Sequence, residues 1–166
     1  VSLTIVLVYV GGGYWVVSYL GFANFIPVHI LVWFLVFQMM ATLMFGSIFI
    51  AIGAACTEIK ETQNLMVPVM LIFCIPLFLL GIVIKDPNGP VATVASFIPF
   101  ATPMLMIARL AIPPGTEVWQ PMVGVVLSLI MTVICVYVAG RIFRVGILMQ
   151  GKGAKFSDLA RWVIRG

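Results

Sequence analysis

The chain of 166 residues is 63% hydrophobic and only 8% charged, and its formal net charge is +4. Its mean hydropathy of +1.24 is far above what a soluble core requires, which excludes an ordinary soluble domain and indicates an integral membrane protein. The first residue is Val1, already within an apolar stretch, so we expect the chain to be part of a longer polypeptide.

Four apolar stretches are long enough to cross a bilayer as helices. A hydrocarbon core about 30 Å thick requires about 20 residues of α-helix, and each stretch reaches or exceeds that length. They are residues 1–20, 29–56, 65–84 and 119–140. The second is long enough to tilt or to protrude from the membrane.

One glycine run and two polar residues lie in the first two stretches. The glycines at positions 11–13 predict close helix packing or a kink rather than phosphate binding. His29 lies at the end of its stretch, where a role at the membrane interface is predicted. Gln38 is the most polar residue well inside a span, and it predicts a hydrogen bond between helices, with a place on a substrate path as the alternative.

Small residues recur along the second stretch. Ser47, Ala51 and Ala55 repeat at every fourth position, a spacing that lets another helix approach closely. These three residues are therefore a candidate helix-packing interface, either within this chain or between two subunits.

The segment EIKETQNLMVP, residues 58–68, places three charges and two amides between two apolar stretches. Burying Glu58, Lys60 and Glu61 at mid-membrane would cost about 2.5 to 3.5 kcal/mol each. The sequence therefore predicts a tight turn that stays hydrated at the membrane surface. A solvated turn with no further role is the plainest interpretation of its composition.

A fifth apolar stretch, residues 91–112, contains two prolines. Pro99 and Pro103 each remove a backbone donor and disfavour helix just before them. We therefore predict two helical pieces of roughly 12 Å each, at 1.5 Å per residue. Neither piece is long enough to cross a membrane alone.

Most basic residues follow the last stretch: Arg141, Arg144, Lys152, Lys155, Arg161 and Arg165. The positive-inside rule places the tail, residues 141–166, in the cytoplasm. Counting back through four spans puts residues 58–64 on the same side and leaves Lys85 and Arg109 outside, which is seven basic residues inside against two outside. A crossing by residues 91–112 would weaken this agreement. They are therefore predicted to form a re-entrant helical hairpin on the outer side, with the broken backbone sheltered by protein.

The end of the tail has the pattern of a short amphipathic helix. Ser157 is a good N-cap, and Asp158 follows in the first turn, where a negative charge suits the helix dipole. Leu159, Trp162 and Val163 then fall on one face at helical spacing. We predict that this segment lies along the inner membrane surface, with a disordered end as the alternative.

Several features occur in a fixed order along the later part of the chain. They are a Glu-x-Gln element at Glu61 and Gln63, the prolines Pro99 and Pro103 before Met104, Arg109 followed by Pro113 and Pro114, and the segment 141–148 after the last span. With this order and spacing, residues 53–162 resemble the C-terminal half of type-2 ATP-binding-cassette (ABC) transporter permeases, in the sodium-efflux-permease-like branch.

The resemblance implies an all-helical exporter permease with six membrane helices per subunit, of which this chain would hold the last four. It also implies a second permease subunit and separate ABC ATP-binding subunits that bind ATP and Mg. Glu61 and Gln63 would be candidate coupling residues towards the ATPase. The candidate exit gate would consist of four residues of the hairpin: Pro99, Phe100, Pro103 and Met104.

Motifs for other functions are missing from the sequence. There is no GxxxxGK[ST] loop, so we expect no cofactor in this chain and assign ATP to a partner. The four spans hold no Asp, Glu, Lys or Arg, which argues against an ion-coupled relay. The sequence contains neither an HExxH motif nor a Ser-His-acid set, so it does not indicate an enzyme. No nucleic-acid partner is expected.

Two points stay open at this level. A non-transporting membrane anchor or regulatory subunit is the alternative to a permease. Sodium, lipids, peptides and drugs all remain candidate substrates.

The cysteines, with no CxxC pair and no histidine close in sequence, are predicted to be packing residues: Cys56, Cys74 and Cys135.

Overall fold

The computed structural model describes residues 2–20, 28–56 and 58–148. Within these ranges the helices are joined by turns and loops and there is no strand, which confirms the predicted all-helical fold for this part of the chain. The helices are α1 Ser2–Tyr19, α2 Val28–Ala55, α3 Ile59–Lys85, α4 Pro90–Ser96, α5 Thr102–Ala111 and α6 Trp119–Leu148.

Three helical segments are long and apolar enough to cross a membrane: His29–Ala55, Ile59–Lys85 and Trp119–Arg144. The apolar part of α1 that the structure describes, Thr4–Val16, is shorter, so a fourth crossing stays a prediction. The glycines at positions 11–13 lie inside a continuous α1. Nothing in the described residues comes within 4 Å of a Cβ placed on any of them, so the predicted close packing is absent here.

The polar segment at the start of α3 differs from its prediction. A turn was expected over residues 58–64, but α3 already begins at Ile59, so most of these residues are helical. Lys, Glu and Gln are good helix formers, and Glu61 lies in the first turn, where the helix dipole favours a negative charge. The chain therefore changes direction between Ala55 and Ile59, and Glu61 and Gln63 are helix residues.

The last helix is also longer than the predicted span. α6 continues past Gly140 to Leu148, because a single glycine inside a helix costs only about 1 kcal/mol. Arg141 is therefore part of a continuous helix, with its guanidinium carbon 6.0 Å from the ring centre of Tyr137. The amphipathic segment predicted from Ser157 lies outside the described residues.

The main core joins α2, α6 and the start of α3. Ala51 and Ala55 of α2 are buried against Ala139 and Ile142 of α6, together with Leu65 of α3. Small side chains on both long helices allow this close approach. Two members of the predicted small-residue interface therefore pack within this chain. The third, Ser47, is half-buried, and its hydroxyl donates a hydrogen bond to the carbonyl of Met44 at 2.8 Å.

Residues 90–111 form two short helices joined by a turn. At 1.5 Å per residue, α4 is about 10 Å long and α5 about 15 Å. Pro99 lies in the turn, whereas Pro103 lies in the first turn of α5, where a missing N–H leaves no helical hydrogen bond unmade. The hairpin packs on the C-terminal end of α3 through an apolar cluster: Val83, Ala92, Ala95, Ala101 and Leu105.

Candidate functional site

A cavity of about 290 Å³ lies between α2, α3 and the hairpin. Its walls are mostly apolar and carry five phenylalanine rings: Phe34, Phe37, Phe45, Phe73 and Phe100. Ring contacts hold part of this wall in place. The rings of Phe45 and Phe73 meet edge to face with centres 4.2 Å apart, and Phe49 stacks on Phe73 at 5.7 Å. Such pairs fix side-chain orientation as well as burying area.

The α2 wall of the cavity comes from a single helix face. Phe34, Phe37, Gln38, Ala41 and Phe45 line the cavity and are spaced three, four, seven and eleven residues from the first. Residues at this spacing lie above one another on an α-helix. The spacing of this stripe is visible in the sequence but was not among the predicted features; only the folded chain shows that α3 and the hairpin close over it.

Gln38 is the polar side chain in this wall. Its Nε2 lies 3.5 Å from Thr42 Oγ1, at the limit of a hydrogen bond, while that hydroxyl donates to the Gln38 carbonyl at 2.8 Å. Within the described ranges, Gln38 Oε1 has no hydrogen-bond partner. The predicted bond between helices is therefore not found in this part of the chain, and Gln38 instead lines the cavity.

Three of the four candidate gate residues share one wall. Phe100, Pro103 and Met104 line the cavity from the hairpin side, while Pro99 belongs to the turn and is not part of the lining. These residues precede or begin α5, so a movement of α5 would change the shape of the cavity. The hairpin wall and the phenylalanine stripe of α2 therefore face the same space.

The candidate coupling residues do not line this cavity. Glu61 and Gln63 are near the N-terminus of α3, whereas Phe73 and Pro76 of the same helix line the cavity. From the 1.5 Å rise per residue, positions 61 and 73 are about 18 Å apart along the helix. α3 thus links the two sets of residues without bringing them together.

Arg109 of α5 is fully buried beside the hairpin, which the sequence analysis did not anticipate. Its Nε donates to the carbonyl of Pro87 at 2.6 Å. Its Nη2 donates to three side-chain oxygens: Gln120 Oε1 at 2.8 Å, Thr93 Oγ1 at 3.2 Å and Asn88 Oδ1 at 3.4 Å. One guanidinium therefore joins α5 to the loop after α3, to α4 and to the start of α6.

The electrostatics of Arg109 are unusual because its bonded partners are neutral oxygens. Burial lowers the pKa of the guanidinium from its ordinary value, because desolvation disfavours the charged form. Arginine nevertheless remains a cation in proteins. Its Nη1 is buried with no partner in the part of the chain that the structure describes. The sequence indicates Arg109 as an outer-side charge and as part of the ordered motif with Pro113 and Pro114, and it gives no sign of this burial.

Metal binding and chemistry by thiols or histidine have little support in the described residues. They contain no group of three or more His, Cys, Asp or Glu side chains that would hold a metal ion. Cys56, Cys74 and Cys135 are free thiols, and Cys135 is buried in α6. His29 is exposed in the first turn of α2. The cavity and the Arg109 cluster are therefore the two features on which a function can be argued.

Comparisons with known proteins point to a transporter. The profile of the family described as "ABC-2 family transporter protein" matches residues 1–141. The Uncharacterized protein YhaP of Bacillus subtilis (strain 168) is 28% identical over 141 residues, which is 84% of this chain and 33% of that protein. The Uncharacterized protein MJ1024 of Methanocaldococcus jannaschii is 21% identical over 128 residues, or 75% of this chain and 30% of that protein.

These matches cover only part of each relative. The chain spans about a third of the length of the curated relatives that it matches. No solved structure matches it significantly.

Proposed function

Because the chain belongs to the ABC-2 family of transporter proteins and carries helices able to span a membrane, we propose that it is the permease part of an ATP-driven exporter. One observation supports this assignment best. A short hairpin places Phe100, Pro103 and Met104 on the wall of a cavity that is otherwise built by membrane-spanning helices. A cavity with a wall on a separate, short element suits a path that opens and closes.

The proposal includes the parts that such a permease needs. A separate ABC ATP-binding subunit binds ATP and Mg, a second permease subunit completes the pathway, and the complex lies in the cytoplasmic membrane with the C-terminus of this chain inside. The chain is then the C-terminal half of one permease, in the sodium-efflux-like branch. Its match to about a third of each relative leaves room for the remaining helices in the full-length protein.

The hairpin acts as the exit gate in this mechanism. It enters the outer part of the membrane, where its turns are sheltered by α3 and α6. The Arg109 hydrogen bond to Thr93 joins α5 to α4, so the two short helices move together, and opening would lengthen the bonds to Pro87 and Gln120 outside the hairpin. Movement of α5 away from α2 carries Phe100 and Met104 with it and opens the cavity.

Glu61 and Gln63 are expected to act in coupling to the ATPase. Gln63 is exposed near the N-terminus of α3, and Glu61 lies in the first turn, so both can meet a cytoplasmic partner. Charge-assisted hydrogen bonds at this end contribute more than neutral ones, and α3 transmits movement along its length. Replacing both with alanine should lower substrate-stimulated ATP hydrolysis about tenfold, the effect of about 1.4 kcal/mol of coupling.

This prediction is checked by measuring ATPase activity with and without substrate in the reconstituted complex. Asn64→Ala is the matched control, because Asn64 is exposed on the same helix next to these positions. The control should keep full stimulation, and all variants should reach the membrane at normal levels. If substrate stimulates ATP hydrolysis equally in the double variant and the control, Glu61 and Gln63 have a role in folding only.

The function itself is tested by transport into sealed vesicles. The full-length protein and its candidate ATPase are reconstituted and supplied with ATP and a panel of sodium, lipids, peptides and drugs. We expect ATP-dependent movement of at least one class away from the ATPase side, which is lost when the phosphate-loop lysine of the ATPase is replaced. If an active complex moves none of them, a non-transporting anchor or regulatory subunit becomes the better assignment.

A further inference from the structure

We propose that the phenylalanine-lined cavity binds a small, uncharged and largely apolar molecule that carries one hydrogen-bonding group. This inference rests on the proposed function, since it names the substrate class that the cavity would accept. It concerns a site within one chain, between α2, α3 and the hairpin. Size, charge and the position of Gln38 each support it.

The size of the cavity sets the size of the molecule. An apolar cavity of about 150 Å³ in a protein core is enough to hold benzene, and ligand sites begin at roughly 300 Å³. The cavity here has about 290 Å³, which is room for one substituted ring or two small rings. A larger drug or a peptide would fit only in part.

The charge of the lining excludes anions. All of the lining residues are uncharged, and five of them present aromatic rings. The faces of such rings carry partial negative charge, so they repel an anion rather than stabilise it. A cation would be attracted to the rings, yet it would also lose its hydration with no carboxylate in the lining to replace it. An uncharged molecule is not repelled by the ring faces and has no ionic hydration to lose.

Gln38 supplies the polar contact. Its carboxamide lines the cavity with an acceptor oxygen that is unbonded in the described part of the chain and an amide nitrogen held only weakly by Thr42. A hydroxyl or amide on the ligand would satisfy the carboxamide, whereas a pure hydrocarbon would leave it unpaired in an apolar surrounding. The site should therefore prefer an apolar molecule with one such group over its hydrocarbon analogue.

The bound molecule would also touch the hairpin. Phe100 and Met104 contribute to the same lining as Phe34 and Phe73, so an occupant contacts α2, α3 and the start of α5 together. Binding is thereby linked to the position of the hairpin. Each state of the gate presents a different cavity to the same ligand.

Photolabelling tests the site directly. The probe is a benzyl alcohol that carries a trifluoromethyl diazirine on its ring, applied to the full-length protein in lipid nanodiscs without any ATPase. We expect saturable labelling of the segments that contain Phe73 and Met104, mapped by mass spectrometry and displaced by excess benzyl alcohol. The matched benzoate probe, which is an anion, should show no saturable labelling there.

Three variants make the test specific. Ala41→Phe places a ring into the cavity and should reduce saturable labelling at least tenfold. Leu43→Phe adds the same ring to the exposed face of α2 and should leave labelling unchanged. Gln38→Leu should weaken labelling by the alcohol probe several-fold, yet leave labelling by the corresponding toluene probe, which lacks the hydroxyl, unaffected.

The outcomes separate this site from its alternatives. Labelling that rises without saturation would identify a lipid-facing groove and overturn the proposal. No labelling of either segment would overturn it as well, and would indicate that another part of the full-length protein fills the cavity. Equal labelling of the Ala41→Phe and Leu43→Phe variants would also overturn it, because the probe would then bind outside the cavity. Because binding is measured without ATP or ATPase, its failure is distinguishable from a failure of transport.

Discussion

Replacing Arg109 with methionine is expected to lower the free energy of unfolding by about 2 to 4 kcal/mol, because several neutral acceptors lose a charged donor and a hydrogen bond to a charged group contributes about 1.5 to 3 kcal/mol. Methionine keeps much of the apolar volume but donates no hydrogen bond. The carbonyl of Pro87 and the side chains of Thr93 and Gln120 would then be left without the donor that joins them. These acceptors are only partly buried, so water can replace part of what each of them loses.

Unfolding of the full-length protein in detergent, followed by heat or denaturant, measures this loss. Lys85→Met is the matched control, because Lys85 is exposed at the end of α3 and its removal should change stability by less than about 0.5 kcal/mol. The free energy of unfolding of Arg109→Lys should fall between those of the other two variants, since an ammonium restores the charge but not the planar fork of donors. If the Arg109→Met and Lys85→Met variants are equally stable, the guanidinium does not hold the hairpin.

A disulfide between positions 102 and 124 is expected to stop export almost completely, with a decrease of at least tenfold in its rate. Gly124 of α6 lies against α5: a Cβ placed there would be 3.0 Å from Thr102 Cγ2 and 3.1 Å from Met106 Cε. The two Cβ positions are thus within the reach of a disulfide, about 4.5 Å. The link would keep the start of α5 on α6 and prevent the hairpin from opening.

The measurement uses Thr102→Cys and Gly124→Cys together in a cysteine-free full-length protein. Export should stop after oxidation and return after reduction, while nucleotide binding by the ATPase stays intact. Each single variant, treated with the same oxidant, controls for the substitutions themselves. Normal export with the disulfide formed would rule out movement between α5 and α6 as the gate, while leaving the cavity as a binding site to be judged by photolabelling.

The hairpin was predictable because proline acts locally. Pro99 and Pro103 restrict their own backbone and that of the residue before them, so a break in residues 91–112 follows from the sequence alone. The role of each proline was less predictable. Only the folded chain places Pro99 in the turn and Pro103 inside the first turn of α5.

The ends of the long helices were predicted less well. Hydropathy marks where a chain can lie in lipid, and it does not mark where helical hydrogen bonding stops. α3 therefore starts before the apolar stretch at Leu65, and α6 continues beyond Gly140 through Arg141 and Arg144. Polar residues at both places are compatible with helix, so the helices extend past the apolar boundaries.

The phenylalanine stripe and the buried Arg109 differ in how far the sequence predicts them. The phenylalanine stripe of α2 is a pattern within one helix, and its spacing could have been recognised. The burial of Arg109 was not readable, because its partners come from three separate segments: Pro87 and Asn88, Thr93, and Gln120. No local pattern links a cation to acceptors so far apart in the chain.

Composition and periodicity by themselves determined that this protein is an all-helical membrane chain with a proline-broken segment before its last long helix. These are properties of each segment alone, since transfer into lipid and backbone restriction depend on neighbouring residues in sequence. Tertiary structure decided which faces meet: α2 against α6 through Ala51 and Ala139, and α5 against α2 around the cavity. A helix that is apolar on every side carries no mark of the face it buries, so packing and the few buried polar contacts make that choice.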